Sequence, residues 1–259
     1  MGIIKKFRIT EFKEDRPKIL LKDISLSFNK RQILENINLT LRQGEICGLL
    51  GPNGVGKSSL FNIIIGSIKP DYGKVFINKM EVTNIPIFER ALRFGVTIVP
   101  QTGGVFSDLS CFENLKAIGE IVIKDSNERS FQIEKMIAKF ELDAVKNVKA
   151  KHMSGGQRKR LAISLALLSN PKVVLMDEPF QGLDLLACRN LQETIVNLQT
   201  ENNERLILVS DHAARDLLAI CDRAIILANK KIIKAGTVNE VLNDEISKNL
   251  YFGDSFKIN

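Results

Sequence analysis

Residues 51–58, Gly51-Pro52-Asn53-Gly54-Val55-Gly56-Lys57-Ser58, fit the spacing G-x-x-x-x-G-K-[ST]. Glycines at these positions let successive backbone N–H groups turn inward around a polyphosphate. The loop runs into a segment read as a helix, whose unpaired first amides and dipole favour an anion. Lys57 would then reach the β- and γ-phosphates, and Ser58 a Mg²⁺ ion. A second group is Val173-Val174-Leu175-Met176-Asp177-Glu178, an apolar run that ends in two successive carboxylates. In phosphoryl transfer the first acid of such a pair holds Mg²⁺ through water, and its neighbour orients or deprotonates the attacking water. Taken alone, such a pair is more often a pair of acids at the start of a helix. A third group is Met153-Ser154-Gly155-Gly156-Gln157, followed by Arg158, Lys159 and Arg160. Ser154 suits a helix cap and the glycines let a phosphate come close, although a plain capped basic helix start would look the same.

These groups need strands and helices to aim them. Alternating apolar residues predict strands over 20–28 and 33–41, joined at Asn29-Lys30 as an antiparallel pair. A short buried-type strand at 45–50 leads into the glycine-rich loop, and 57–65 reads as a helix stopped near Gly66 and Pro70. Further strands are expected at 74–78, 95–100, 172–177 and 206–210. Between residues 110 and 149 the texture is helical, with Ile133, Met136, Ile137 and Phe140 on one face. Helices are also expected from Ser154 and over 187–198, and strands alternating with helices imply a parallel sheet. Near the end, strands at 223–228 and 231–234 flank Asn229-Lys230, and Thr237 with Glu240 forms a capping-box signature.

Composition narrows the classes. The 259 residues are 44% hydrophobic and 26% charged, too apolar for disorder and too charged for a membrane bundle. No apolar run approaches the roughly 20 residues needed to cross a bilayer, and the N-terminal stretch lacks the apolar core of a secretion signal. Cys47, Cys111, Cys188 and Cys221 are scattered without a C-x-x-C pair, and read as reduced packing residues. The net charge of +7 suits nucleic acid, anionic lipid or nucleotide alike.

The order of the three groups decides among these. Residues 51–58, then 154–157, then Asp177-Glu178 follow the arrangement of the ATP-binding cassette family, and the sequence resembles an ABC transporter nucleotide-binding subunit over about residues 19–259. The resemblance implies a P-loop NTPase α/β core with a mostly parallel sheet, an N-terminal antiparallel β subdomain and an inserted α-helical subdomain at about 101–165. It leaves residues 1–18 as an N-terminal extension, with Lys5, Lys6 and Arg8 as its small basic cluster. It implies ATP and Mg²⁺ as ligands, with Gly51, Pro52, Asn53, Gly54, Val55, Gly56, Lys57, Ser58 and Ser59 around the nucleotide. Phe28 takes the place of the aromatic that stacks on adenine; on its alternating strand it also reads as core. Gln101, after Ile98-Val99-Pro100, matches the glutamine that senses the ion and the membrane subunits, so Ser58, Gln101 and Asp177 are the implied metal residues. Glu178 takes the catalytic carboxylate's place. His212 matches the histidine that contacts the γ-phosphate, while His152 has no matching role. Ser154, Gly155, Gly156 and Gln157 resemble the signature that serves a nucleotide held by the opposite subunit, with Met153 in place of leucine. Asp184 belongs to the loop that crosses the dimer interface, with Leu185 where proline is common.

One copy of each motif implies a head-to-tail homodimer enclosing two ATP molecules. The stretch Asp177-Glu178-Pro179-Phe180-Gln181-Gly182-Leu183-Asp184 resembles the form found in lipopolysaccharide-export ATPases, as does the ending 250–256. That form implies two lipopolysaccharide-export-type transmembrane permeases as partners, reached through Phe106, and a peripheral position on the cytoplasmic face of the inner membrane. After Phe106 this chain has Ser107 and Asp108 where arginines are common. A branched-chain amino-acid importer ATPase is the alternative. A nucleic-acid-associated cassette would bring a second cassette or long heptads, and a P-loop kinase would not need residues 154–157 or His212. No nucleic acid partner is therefore expected.

Overall fold

The computed structural model describes residues 17–249; most of the extension at 1–18 and the ending at 250–256 lie outside them. Strand β1 (Pro17–Phe28) pairs antiparallel with β2 (Arg31–Arg42) through the expected turn, where Asn29 and Lys30 both have positive φ, 47° and 67°. Two successive positive φ values make the hairpin turn whose twist matches that of its strands. The strand starts three residues ahead of the expected 20, so Lys18 belongs to the sheet. The chain then crosses to β3 (Ile46–Leu50), the loop and α1 (Lys57–Ile65), and returns to β4 (Tyr72–Ile77) and β5 (Met80–Glu81). These complete an antiparallel sheet in the order β2-β1-β4-β5.

After α2 (Ile87–Phe94) come β6 (Val96–Val99), α3 (Cys111–Val122), α4 (Ser126–Lys139), α5 (Gly155–Leu167) and β7 (Val173–Asp177). The remaining main elements are α6 (Leu185–Glu201), β8 (Leu206–Ser210), α7 (Ala214–Leu218), β9 (Arg223–Ala228), β10 (Lys231–Thr237) and α8 (Val238–Asn243). The second sheet runs β10-β9-β3-β8-β7-β6, parallel throughout except for the antiparallel β10 edge. The mostly parallel core and the separate antiparallel sheet are the architecture expected from the sequence.

The parallel strands read as continuous apolar runs because both faces are covered. Cys47, Leu49, Leu175 and Leu208 face the layer shared with the antiparallel sheet and α1. Ile46, Leu50, Met176 and Val209 face the layer built with the helices that follow. Cys47, Cys111, Cys188 and Cys221 are all buried and none forms a disulfide, in keeping with a packing role.

Several charged residues enter this interior, Arg90 among them. Arg90 on α2 is 1% exposed and donates to the carbonyls of Ile63 (2.7 Å) and Ile64 (2.8 Å) in the last turn of α1, the first of which also accepts from the Gly66 N–H. It also donates to Val82, Thr83 and Ile85 carbonyls. Burial pushes its pKa down to about 10, so it stays charged at neutral pH. It thus fastens the helix that follows the phosphate loop to the segment leading into β6. Arg90→Met should cost roughly 3 kcal/mol or more, because five carbonyls lose their guanidinium donor and only those of Ile63 and Val82 keep a backbone N–H, from Gly66 and Ile85. Urea unfolding checks this: an unchanged midpoint would remove the fastening role.

Candidate active site

The expected site residues converge because the strands that carry them end together. In register, Leu49 lies opposite Ser210, Ser210 opposite Asp177, and Met176 opposite Val99. The loop after β3, Gln101 after β6, Asp177-Glu178 at the end of β7 and His212 after β8 therefore share the carboxyl edge of one sheet. Ligands bind at this edge in open parallel sheets.

Residues 51–56 turn sharply into α1. Gly56 has φ of +113°, and a Cβ on it would sit 2.9 Å from the Leu34 side chain, so any other residue would be strained there. Having no side chain, Gly56 cannot cap the helix it begins. The Lys57 ammonium, 5% exposed, turns back onto the Gly51 carbonyl (2.8 Å) and the Pro52 carbonyl (3.2 Å). Burial pulls its pKa down, while Glu178, Asp177 and Asp211 pull it up. A buried cation held mainly by backbone carbonyls, beside an uncapped helix start, is chemically matched to a phosphate anion. Ser58 and Ser59 occupy the first turn of α1, and Asp177 is buried 6% exposed with its Oδ1 accepting from Ser210 Oγ at 2.5 Å. The Ser58 hydroxyl and the Asp177 carboxylate are oxygen donors of the kind that hold Mg²⁺ together with substrate phosphates, and Gln101 brings an amide to the same edge.

Glu178 sits at the centre. Its φ is +47°, a left-handed conformation costing a non-glycine residue about 1–2 kcal/mol. Its N–H donates to the Ser210 carbonyl at 2.8 Å, which turns the residue out of the β7 line and aims its carboxylate back across the sheet edge. There Oε2 accepts from Gln101 Nε2 at 2.7 Å and lies 3.6 Å from His212 Nδ1, while Oε1 lies 3.9 Å from Lys57 Nζ. The structure thus brings Lys57, Gln101, Glu178 and His212 together.

Four neighbours escaped sequence reading. Ser210 links Asp177 to the Glu178 backbone. Asp211, wholly buried, accepts from the Phe180 N–H at 2.9 Å and fixes the loop after Glu178. Lys159 reaches from α5 to the carbonyls of Gln101 (3.3 Å) and Glu178 (3.4 Å). Gln181 accepts from Gln101 Nε2 at 3.0 Å. Asp211 could have been suspected from Ser210-Asp211-His212, an acid just past a buried strand; the others carry no local signal.

The remaining expected residues lie apart. Phe28 is 45% exposed at the end of β1, which removes the core reading. A small cleft of about 300 Å³ beside the phosphate loop is lined by residues 31–33, 52–55 and 228–230 rather than by Phe28. Ser154 caps α5 in a full capping box with Gln157. The signature residues 154–157 line a different cleft, about 670 Å³, with Gly182, Leu183 and Asp184. Asp184 caps α6 through the Ala187 N–H at 2.9 Å, and the helix starts at Leu185, not at the expected 187. Phe106 is 52% exposed, and its backbone N–H and carbonyl are both bound by the buried Asn114 side chain.

Comparison with known proteins agrees with this geometry. The ABC transporter family model matches residues 34–181. The lipopolysaccharide export system ATP-binding protein LptB of Haemophilus influenzae is 36% identical over 238 residues, covering 91% of this chain and 97% of the relative. Among solved structures, a nucleotide-free ATP-binding cassette from an ABC transporter superposes with a TM-score of 0.82 at 26% identity, covering 92% of this chain and 100% of that one. A dimeric post-hydrolysis cassette bound to ADP and Pi gives a TM-score of 0.77 at 25% identity, covering 85% and 98%. Among the described residues no helix is long and apolar enough to cross a membrane. Sequence, fold and site agree that this chain belongs to the ABC transporter family, as an ATP-hydrolysing subunit.

Proposed function

We propose that the chain drives lipopolysaccharide export as a homodimer enclosing two ATP molecules, docked through two transmembrane permeases on the cytoplasmic face of the inner membrane. The observation that carries the dimer is the separation of the two clefts: the cleft at 52–55 and the cleft at 154–157 share no residue. A signature loop that shares no pocket with its own phosphate loop is free to face a partner's. The export assignment is supported by the likeness to LptB and by the stretch 177–184.

In this reading ATP lies along residues 51–59, with Phe28 at its base end. Lys57 exchanges the Gly51 and Pro52 carbonyls for β- and γ-phosphate oxygens. Ser58, Asp177 and Gln101 hold Mg²⁺, which when bound neutralises charge on those oxygens. Glu178 accepts the proton of the attacking water as its oxygen bonds to the γ-phosphorus and the bond to the leaving ADP oxygen breaks. His212, beside the same Glu178 oxygen, orders that carboxylate and contacts the γ-phosphate. Ser154, Gly155, Gly156 and Gln157 close on the nucleotide of the opposite subunit, and Asp184 sits in the loop crossing between them.

Phe106 presents an exposed aromatic on a loop whose backbone Asn114 holds rigid, which suits contact with a membrane subunit. The experiment is to purify the tagged full-length chain from its native membrane and identify its companions. Two export-type permeases support the reading; importer permeases with a periplasmic amino-acid-binding protein would sink it. Phe106→Ser should abolish that co-purification while leaving the melting temperature unchanged, since the ring is half in solvent.

A further inference from the structure

Gln101 does not stand free beside Glu178. Its amide nitrogen has two acceptors, Glu178 Oε2 at 2.7 Å and Gln181 Oε1 at 3.0 Å. Its backbone carbonyl also accepts from Lys159 Nζ at 3.3 Å, which fixes where the side chain begins. Both protons of the amide NH₂ are therefore directed at the loop that follows β7. An amide in this pose shows its nitrogen to the carboxylate, whereas a cation needs its oxygen. Gln101 must turn before it can serve an ion, and Gln181 adds to what holds it back.

We propose that Gln181 is a positioning residue of the ATPase site, a latch that holds Gln101 in its Glu178-facing pose and so raises the magnesium concentration the nucleotide site requires. The inference rests on the reading of Gln101 as a magnesium residue. The loop that carries Gln181 is itself fixed, because the Phe180 N–H donates to the buried Asp211 carboxylate and the Leu183 N–H to the Phe180 carbonyl. The latch is therefore aimed by the fold rather than by a chance rotamer. Gln181 is solvent-exposed, so replacing it disturbs no core contact.

A single neutral hydrogen bond at an exposed site changes an equilibrium by about 2–10-fold. Gln181→Ala removes the acceptor, and Gln181→Asn keeps the amide but draws it back by one methylene. Binding of a non-hydrolysable ATP analogue to the full-length protein is titrated with magnesium at fixed, sub-saturating analogue. Both variants should lower the half-saturating magnesium concentration about threefold, with analogue binding in EDTA unchanged. Gln101→Ala is the control for the underlying reading: it should shift the magnesium midpoint and erase any further effect of Gln181→Ala in the double variant. If Gln101→Ala shifts the midpoint and the Gln181 variants do not, the latch is refuted while the reading of Gln101 stands. If neither Gln101→Ala nor the Gln181 variants move it, Gln101 is not a magnesium residue and the latch falls with that reading. A Gln181→Ala effect that persists in the Gln101→Ala background also refutes the latch, since the two would then act independently.

Discussion

Glu178→Gln abolishes turnover while leaving ATP bound: kcat should fall by about 10²–10⁴-fold, the span general-base loss commonly covers, with nucleotide affinity equal or tighter. Several observations fix the sign of the second effect. The substitution is isosteric, so the left-handed backbone at φ +47° and the bond from the Glu178 N–H to Ser210 are kept. The amide oxygen can still accept from Gln101, now at 2.7 Å from the carboxylate. What disappears is a negative charge 3.9 Å from Lys57, which frees that ammonium for the anion and removes repulsion of the γ-phosphate. ATP should therefore hold the dimer closed because nothing consumes it. Phosphate release, binding of a labelled nucleotide and size-exclusion chromatography with ATP read the three parts separately. Hydrolysis at the parental rate would remove Glu178 from the base role.

The strands and their motifs were legible because each is a local pattern. An apolar run ending in Asp177-Glu178 has the pattern of a buried strand delivering acids to an edge, and the G-x-x-x-x-G-K-S spacing has that of a loop between a strand and a helix. Asn29-Lys30 and Asn229-Lys230 were read as turns, and the same dipeptide at Asn78-Lys79 makes a third turn with φ of 50° and 68°. That third turn leaves a weaker trace in the sequence because β5 behind it has only two residues, too few to show alternation. Helix α2 is hidden in the sequence for a related reason. Its Arg90 breaks the apolar face in sequence, yet in the fold it is the most buried residue of that helix, satisfied by carbonyls from residues 63–85. A side chain whose partners are backbone atoms leaves no trace in any residue pattern. Lys159 and Gln181 are invisible for the same physical reason: what matters at each is a contact 58 or 80 residues away in sequence. Helix α6 began early because Asp184 caps it, and the exposed Leu185 and Leu186 in its first turn mask the inward periodicity.

Gly155→Asp separates what the chain does alone from what it does with a second copy. A Cβ added at Gly155 meets no atom within 4 Å, so the substitution causes no clash inside the chain. Gly155 is the first helical residue after the Ser154 cap of α5, where glycine is costly and an acid favours the helix dipole, by about 0.5–1 kcal/mol each. The folded monomer should therefore be as stable as the parent or more so. Its phosphate loop is untouched, so ATP binding by the monomer should not change. What faces Gly155 in the proposed dimer is the partner's γ-phosphate, and a carboxylate there replaces an anion-attracting helix start with like charge in a desolvated interface. Like-charge juxtaposition at an interface costs several kcal/mol, enough to lower ATP-dependent dimerisation and kcat at least 100-fold. The expected result is an unchanged or raised melting temperature, parental nucleotide affinity, no ATP-induced dimer on size exclusion and almost no phosphate release. Together with Glu178→Gln, which binds and closes but does not turn over, it places the two losses on opposite sides of the closing step. Parental turnover by Gly155→Asp would mean that residues 154–157 do not complete a partner's site, and the homodimer would lose its chemical reason.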